Sequence, residues 1–312
     1  MPKFKPFNIQ IVDPSGVNTS IAARPMEMGS DESRDKIVKE TSGEPIVDYL
    51  GKTNPYIDYQ SIDILLSLQH PRSDGYDEHC FIIMGQVKEM LFKGFHFELM
   101  NAQMQIRNDN INNAMEILTR AIAYAKYIAD TWNVLSTIST EGFSEFRNNL
   151  GTASGQLSFM YRHVEFVLGN KSEKLATAHK NVAHVWPEIE KSLKSPSLYD
   201  DVIALLDRRG FKIDQKMLER DWTQPYEVNM SVEAAWLKIY KEASLENDLY
   251  NLGEKLTSLD ENFSIYRWRH FLTVQKIIGY KPGTGGSAGV GWLENVTSHR
   301  FFPELWSIRT NL

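Results

Sequence analysis

The residues best placed for chemistry lie near the C-terminal end of the chain, where Tyr266 to Gly291 reads YRWRHFLTVQKIIGYKPGTGGSAGVG. Phe263, Tyr266, His270, Val274 and Ile277 recur at intervals of three or four, so they share one helical face and set a lone imidazole among apolar side chains. Pro282 and Gly283 end that helix and open the loop GTGGSAG. The loop fits the spacing of a dinucleotide fingerprint at Gly283, Gly285 and Ala288, and that of a nucleophile elbow around Ser287. Both motifs require a preceding strand, whereas this loop follows a helix. Its backbone amides and the hydroxyls of Thr284 and Ser287 are suited instead to close contact with an anionic or zwitterionic ligand. Arg147, four residues after Phe143 in GFSEFRNNLG, reads equally as a surface ion pair or as a clamp for a carboxylate.

The inventory of metal ligands is thin. None of the eight histidines has HExxH spacing, no Glu-x-x-His pair occurs, and there is no CxxC, which argues against a multi-ligand zinc or di-iron centre. A haem needs only one protein ligand, because the macrocycle supplies four nitrogens. His270 suits that role, as do His96 and His163, but from the residues alone a satisfied core histidine is the favoured reading, and the pattern does not select one of the three. The single cysteine, Cys80, reads as a small buried apolar group and cannot form an internal disulfide, which fits a reducing compartment.

Helices must position these groups. Apolar spacing predicts a helix over Tyr56 to Gln69, stopped by His70-Pro71, and a long amphipathic one over Glu78 to Ile106 through Phe81, Met84, Val87, Leu91, Phe95 and Leu99. Gly85 and Gly94 fall inside it, each costing about 1 kcal/mol against alanine, which suggests a close approach to the backbone at both. Further helices are expected over Asn112 to Thr137, Phe143 to Leu150, Gln156 to Leu168, Ser197 to Arg208, Ser231 to Leu252 and Leu256 to Tyr280. Alternating strand patterns are nearly absent, so the chain reads as mainly α. Residues 1–54 read as a partly ordered N-terminal arm with short apolar pieces such as Phe7 to Val12, and 55–312 as one helical domain. The polar stretch Lys171 to Lys194 reads as an arm of helices on that single core.

The composition, 42% hydrophobic and 24% charged with a net charge of −6, offers no electrostatic basis for binding nucleic acid. No apolar run reaches the roughly 18 residues of a membrane span, and the N-terminus has no signal core. The expectation is a cytoplasmic protein with no nucleic-acid or membrane partner.

Six blocks in order carry a resemblance to the tryptophan 2,3-dioxygenase family: DEHCFII (Asp77 to Ile83), FRNNLGTASG (Phe146 to Gly155), YRHVEFVLGNK (Tyr161 to Lys171), PSLYD (Pro196 to Asp200), the helix and loop around His270, and the terminal FFPELWSIRTNL. The resemblance runs from about Tyr56 to Leu312 and implies an all-α helical haem protein, a homotetramer, acting on an aromatic amino acid and dioxygen with haem b. It makes His270 the iron ligand, Arg147 the contact to the amino-acid carboxylate, Thr284 a loop contact to the substrate ammonium and carboxylate, and Phe81 the ring that packs on the indole. Tyr56 and Tyr59 match tyrosines that reach a neighbouring subunit's pocket.

Three positions depart from the family pattern. Gly85 stands where the family carries a distal histidine bonded to the indole N–H, Leu91 replaces a tryptophan, and Phe143 replaces a tyrosine near the substrate carboxylate. A pocket lacking that imidazole discriminates less between ring substituents. The resemblance therefore implies a dioxygenase adding dioxygen across the indole C2–C3 bond of tryptophan or a substituted tryptophan. A haem mono-oxygenase that hydroxylates an aromatic amino acid or forms an oxindole, and a non-catalytic haem or amino-acid binder, are the alternatives.

Overall fold

Tyr76–Arg107 form one helix of 32 residues (α4), and Asp248–Ile278 form another of 31 (α13). Between them, in contact with both, packs α5, Ile111–Leu135. The computed structural model of the chain describes residues 11–12, 18–19, 22–26, 28–49 and 54–312. The chain divides into an N-terminal unit ending at His70 and a helical unit over Pro71–Leu312.

In the N-terminal unit a two-stranded antiparallel ribbon pairs Ile11–Val12 (β1) with Asn18–Thr19 (β2). Asp31–Glu40 form α1, closed by a reciprocal Ser30–Ser33 capping box, and every residue of it is exposed. Of the arm expected to be partly ordered, this much is helix, while residues 1–10, the start of the Phe7 to Val12 piece among them, lie outside the described residues. The helix expected over Tyr56 to Gln69 is two short ones, α2 (Pro55–Gln60) and α3 (Ile62–Leu66), because Ser61 adopts a left-handed conformation with φ 52°. Arg24 ties them together by donating to Asp58 and Asp63 at 3.0 and 2.6 Å.

The helical unit grows from the α4–α5–α13 core. Phe95, Leu99, Ala102 and Ile106 of α4, Leu118, Ala125 and Ile128 of α5, and Leu256, Leu259 and Phe263 of α13 are fully buried there. At the N-terminal end of α4 the buried face is narrower: Val87 is 38% exposed, while Phe92 is buried in its place. Thr140–Arg147 (α6) packs on that end of α4, with Ser139 accepting from the Gly142 amide as its cap. Phe159–Leu168 (α7) also packs on α4 and ends at Gly169, φ 107°.

Glu173–Thr177 (α8) and Trp186–Lys194 (α9) follow. Ala176, Val185, Ile189 and Leu193 bury against Phe166 of α7, so the polar stretch is an arm of helices on the core and not a linker. Leu198–Arg208 (α10) returns to α4, and Gln215–Leu218 (α11) leads to Met230–Lys241 (α12).

The single helix expected over Ser231 to Leu252 is corrected here. The chain leaves the helix at Glu242, and Asn247 restarts it by accepting from the amides of Leu249 and Tyr250. Val290–Thr297 (α14) and Pro303–Ser307 (α15) then pack on α13. Apart from β1 and β2 the described residues contain no strand, and the fold is all-α.

Candidate functional site

The site is built from the N-terminal half of α4. Phe81, Gly85, Lys88 and Phe92 recur every three or four residues and so line one side of the helix. Phe81 meets the rings of Phe143 and Phe146 on α6 at 6.0 and 5.3 Å, which brings α6, and with it Arg147, beside this face. One turn on, the helix shows nothing: a Cβ built at Gly85 would meet no atom within 4 Å. Gly94 is the opposite case, because its Cβ would lie 2.6 to 2.7 Å from the ring and hydroxyl of Tyr124. Of the two close approaches expected from the sequence, one is real and the other is open space.

Lys88, a turn beyond Gly85, folds inward and sets its Nζ 4.0 Å from the centre of the Trp132 indole on α5. The same indole lies flat against His270 of α13, with centroids 4.4 Å apart and an interplanar angle of 12°. Tyr266 stands one turn before His270 and packs edge-on against Phe92. Burial, with a smaller contribution from the Lys88 charge, pushes the His270 imidazole down to about 3. The ring is therefore neutral at physiological pH, with a lone pair available. Stacking covers a face of the imidazole and leaves the edge, where that lone pair points. Burial also lowers the Lys88 ammonium to about 8, against the opposing charge of Glu89.

The other wall is the glycine-rich segment after α13. Gly279 turns the chain out of the helix with φ 61°. The loop then closes on itself through Gly286 N–H to Gly283 O and Gly283 N–H to Ser287 O. At Gly289, φ 63°, a Cβ would lie 2.5 Å from the Lys281 carbonyl, so both the conformation and the space require glycine. Arg147 Nη2 donates to the Pro282 carbonyl at 2.8 Å, and Thr284 Oγ1 donates to the Ala153 carbonyl at 2.6 Å. Gly285 rests so closely on Ser154 that its Cβ would lie 2.7 Å from that of the serine. The loop is thus laid across the segment that follows α6.

These contacts join Phe81, Arg147 and Thr284 through α6 and the loop, and Gly85 and His270 through Lys88 and Trp132. Phe143, at the family's tyrosine position, is part of the phenyl cluster and offers no hydroxyl. Tyr56 and Tyr59 lie on α2 of the N-terminal unit, 64% and 79% exposed. His96 and His163, the other two histidine candidates, are buried on α4 and α7 with their rings tilted by 53° and their centroids 5.3 Å apart. Burial pushes the Cys80 thiol up, with Asp77 adding to the shift, so it is not an activated nucleophile.

The residues around His270 fit a haem. A haem needs only one protein nitrogen, and the buried imidazole of His270 is chemically suited to supply it. Three buried polar atoms on the same walls lack a hydrogen-bond partner: Trp132 Nε1, Glu89 Oε2 and Arg147 Nε. Native interiors rarely leave such atoms unmet, and a ligand bearing carboxylates and a polar amino acid would meet them. Neither Lys88 nor Glu89 stands out in the sequence as a site residue. The signal was available, since Lys88 is a cation placed between Gly85 and Phe92 on the face that turns inward. Trp132 reads from its spacing only as an apolar position of α5.

The family model described as Tryptophan 2,3-dioxygenase matches residues 46–312. A tryptophan 2,3-dioxygenase of Cupriavidus necator is 42% identical over 261 residues, covering 84% of this chain and 89% of the relative. One from Ralstonia pickettii is 40% identical, covering 84% of this chain and 94% of the relative. One from Burkholderia pseudomallei is 42% identical over 257 residues, covering 82% and 84%.

Proposed function

The chain belongs to the tryptophan 2,3-dioxygenase family, and on that premise we propose that it is a haem-dependent oxidoreductase that adds dioxygen across the indole C2–C3 bond of tryptophan or a substituted tryptophan. The observation that carries this reading is the imidazole of His270 stacked flat on Trp132, with open backbone at Gly85 on α4, one turn before the Lys88 that meets the same indole. His270 holds the iron of haem b through its unstacked edge. The haem, when bound, supplies the oxygen chemistry; the chain supplies position and dryness.

Arg147 grips the substrate carboxylate. Its Nη2 is anchored on Pro282 while its buried Nε has no partner, which leaves the fork short of one acceptor. Thr284, donating to Ala153, keeps its oxygen lone pairs for the substrate ammonium. Phe81, backed by Phe143 and Phe146, packs on the indole and keeps water from the reacting bond. Tyr56 and Tyr59, largely exposed on α2, contribute to the pocket of a neighbouring subunit in a homotetramer. Among the described residues no helix is long and apolar enough to cross a membrane, and the lone Cys80 accords with a cytoplasmic setting.

At Gly85 no side chain faces the indole nitrogen, and the space there supports a substituted ring, including one alkylated at N1. The test is turnover of a panel of tryptophan analogues by the reduced haem protein under isotopically labelled dioxygen. Two labelled atoms in an N-formylkynurenine-type product support the reading. One labelled atom replaces it with a mono-oxygenase, none with a binding protein, and a strong preference for unmodified tryptophan overturns the role of Gly85. His270→Ala is expected to abolish the haem absorption bands while leaving the helical circular dichroism intact; unchanged bands would overturn the ligand assignment.

A further inference from the structure

Lys88 is an unusual residue to find where it lies. Its side chain runs from α4 into an aromatic wall and ends 4.0 Å from the centre of the Trp132 ring. Among the described residues no carboxylate comes within salt-bridge distance of it. Its neighbour in sequence, Glu89, engages Ser158 at the N-cap of α7 instead. The ammonium is therefore held by the π face of an indole, the best aromatic partner for a cation. Trp132 in turn lies flat on His270 at 4.4 Å. The charge thus sits no farther from the imidazole than the sum of those two distances, through an aromatic medium that screens poorly. Three helices, α4, α5 and α13, each contribute one member of the stack.

We propose that Lys88 is a positioning residue that tunes the iron bound at His270: its ammonium, held against Trp132, raises the reduction potential of that centre and keeps the Trp132–His270 stack in register. This rests on the haem reading above. The physical reason is that a fixed positive charge destabilises the more positive, ferric state of the metal relative to the ferrous one. It also draws electron density from the histidine that donates to the iron. Charge and hydrogen bonding around an axial ligand are among the levers by which a protein sets a haem potential. An oxygen-using haem enzyme needs the ferrous state, so a cation at this place favours the working form. Nothing about the reaction itself requires Lys88 to touch substrate.

The experiment is a spectroscopic redox titration of the haem-loaded wild type, Lys88→Met and Lys88→Arg, with circular dichroism as a check on folding. Lys88→Met is expected to lower the ferrous-to-ferric ratio at a fixed solution potential roughly tenfold, which is about 59 mV for a one-electron couple. Lys88→Arg, which keeps the charge and stacks on indole as well, is expected to stay near the wild type. A Lys88→Met potential equal to the wild type, or a Lys88→Arg potential as low as that of Lys88→Met, overturns the proposal. So does a folded Lys88→Met that takes up no haem, because the ammonium then serves assembly and not tuning. A wild type that binds no haem is a different result and refutes the function proposed above.

Discussion

Gly85 and Gly94 lie nine residues apart on one helix, and the same substitution is expected to stabilise at the first and not at the second. Replacing glycine by alanine in a helix interior stabilises by about 1 kcal/mol at either position, because alanine loses less backbone entropy. At Gly85 that gain stands alone, since the new methyl meets nothing within 4 Å. At Gly94 it is opposed by a collision, because the Cβ would lie 2.6 Å from Tyr124 Cε1 and Cζ and 2.7 Å from its Oη. Tyr124 is packed against the core cluster and has to be displaced. Overpacking of this kind costs about 1 to 3 kcal/mol. The propensity gain cancels in the comparison, so the gap between the two variants is the collision itself, about 1 to 3 kcal/mol. Urea melts of the haem-free protein, followed by circular dichroism, measure it. Gly85→Ala should move the midpoint up, and Gly94→Ala should leave it unchanged or lower it. In a Tyr124→Ala background Gly94→Ala should become stabilising, with a coupling equal to the gap. Equal shifts in the same direction from both alanines would refute the contrast between open and crowded backbone on which the pocket rests.

Two further outcomes follow from the charges. Arg147→Lys keeps the charge but loses the planar fork and the Pro282 anchor. The KM for the amino acid should rise roughly tenfold to a hundredfold, as expected for about 1.5–3 kcal/mol lost from a charged hydrogen bond, with a smaller change in kcat; steady-state kinetics checks this, and an unchanged KM would remove Arg147 from the substrate site. Burial pushes His96 down to about 4 and His163 to about 3, the latter with help from the charges of His96, His179 and Lys171. The unfolded chain takes up these protons near the usual 6.5, so this stabilisation is complete above that pH and is lost as the pH falls towards 4. The loss is about 1.4 kcal/mol per pH unit for each histidine. Urea midpoints between pH 7 and 5 should fall accordingly, and a His96→Gln, His163→Gln double variant should flatten the slope; an identical slope would show that these imidazoles are not held neutral.

By itself the sequence determined the class of fold and the cast of the site. Local periodicity identifies α4, α5 and α13, because an amphipathic helix writes its buried face into every third or fourth residue whatever it later packs against. The same spacing put His270 among apolar side chains, and the blocks around Phe81, Arg147 and Thr284 carried the resemblance to the family. What a helix meets across the core is not written in its own periodicity. Gly85 and Gly94 look alike in the sequence, and only the arrival of Tyr124 from α5 separates a crowded glycine from an open one. Val87 has the right spacing for the core, but the helix end it occupies is left half-exposed. The break between α12 and α13 turns on one side-chain cap at Asn247, a local competition that apolar spacing does not register. Lys88 reads as a solvated cation until tertiary packing brings the Trp132 indole beneath it and His270 beside that ring, because contacts among α4, α5 and α13 depend on three helices meeting, not on any one of them.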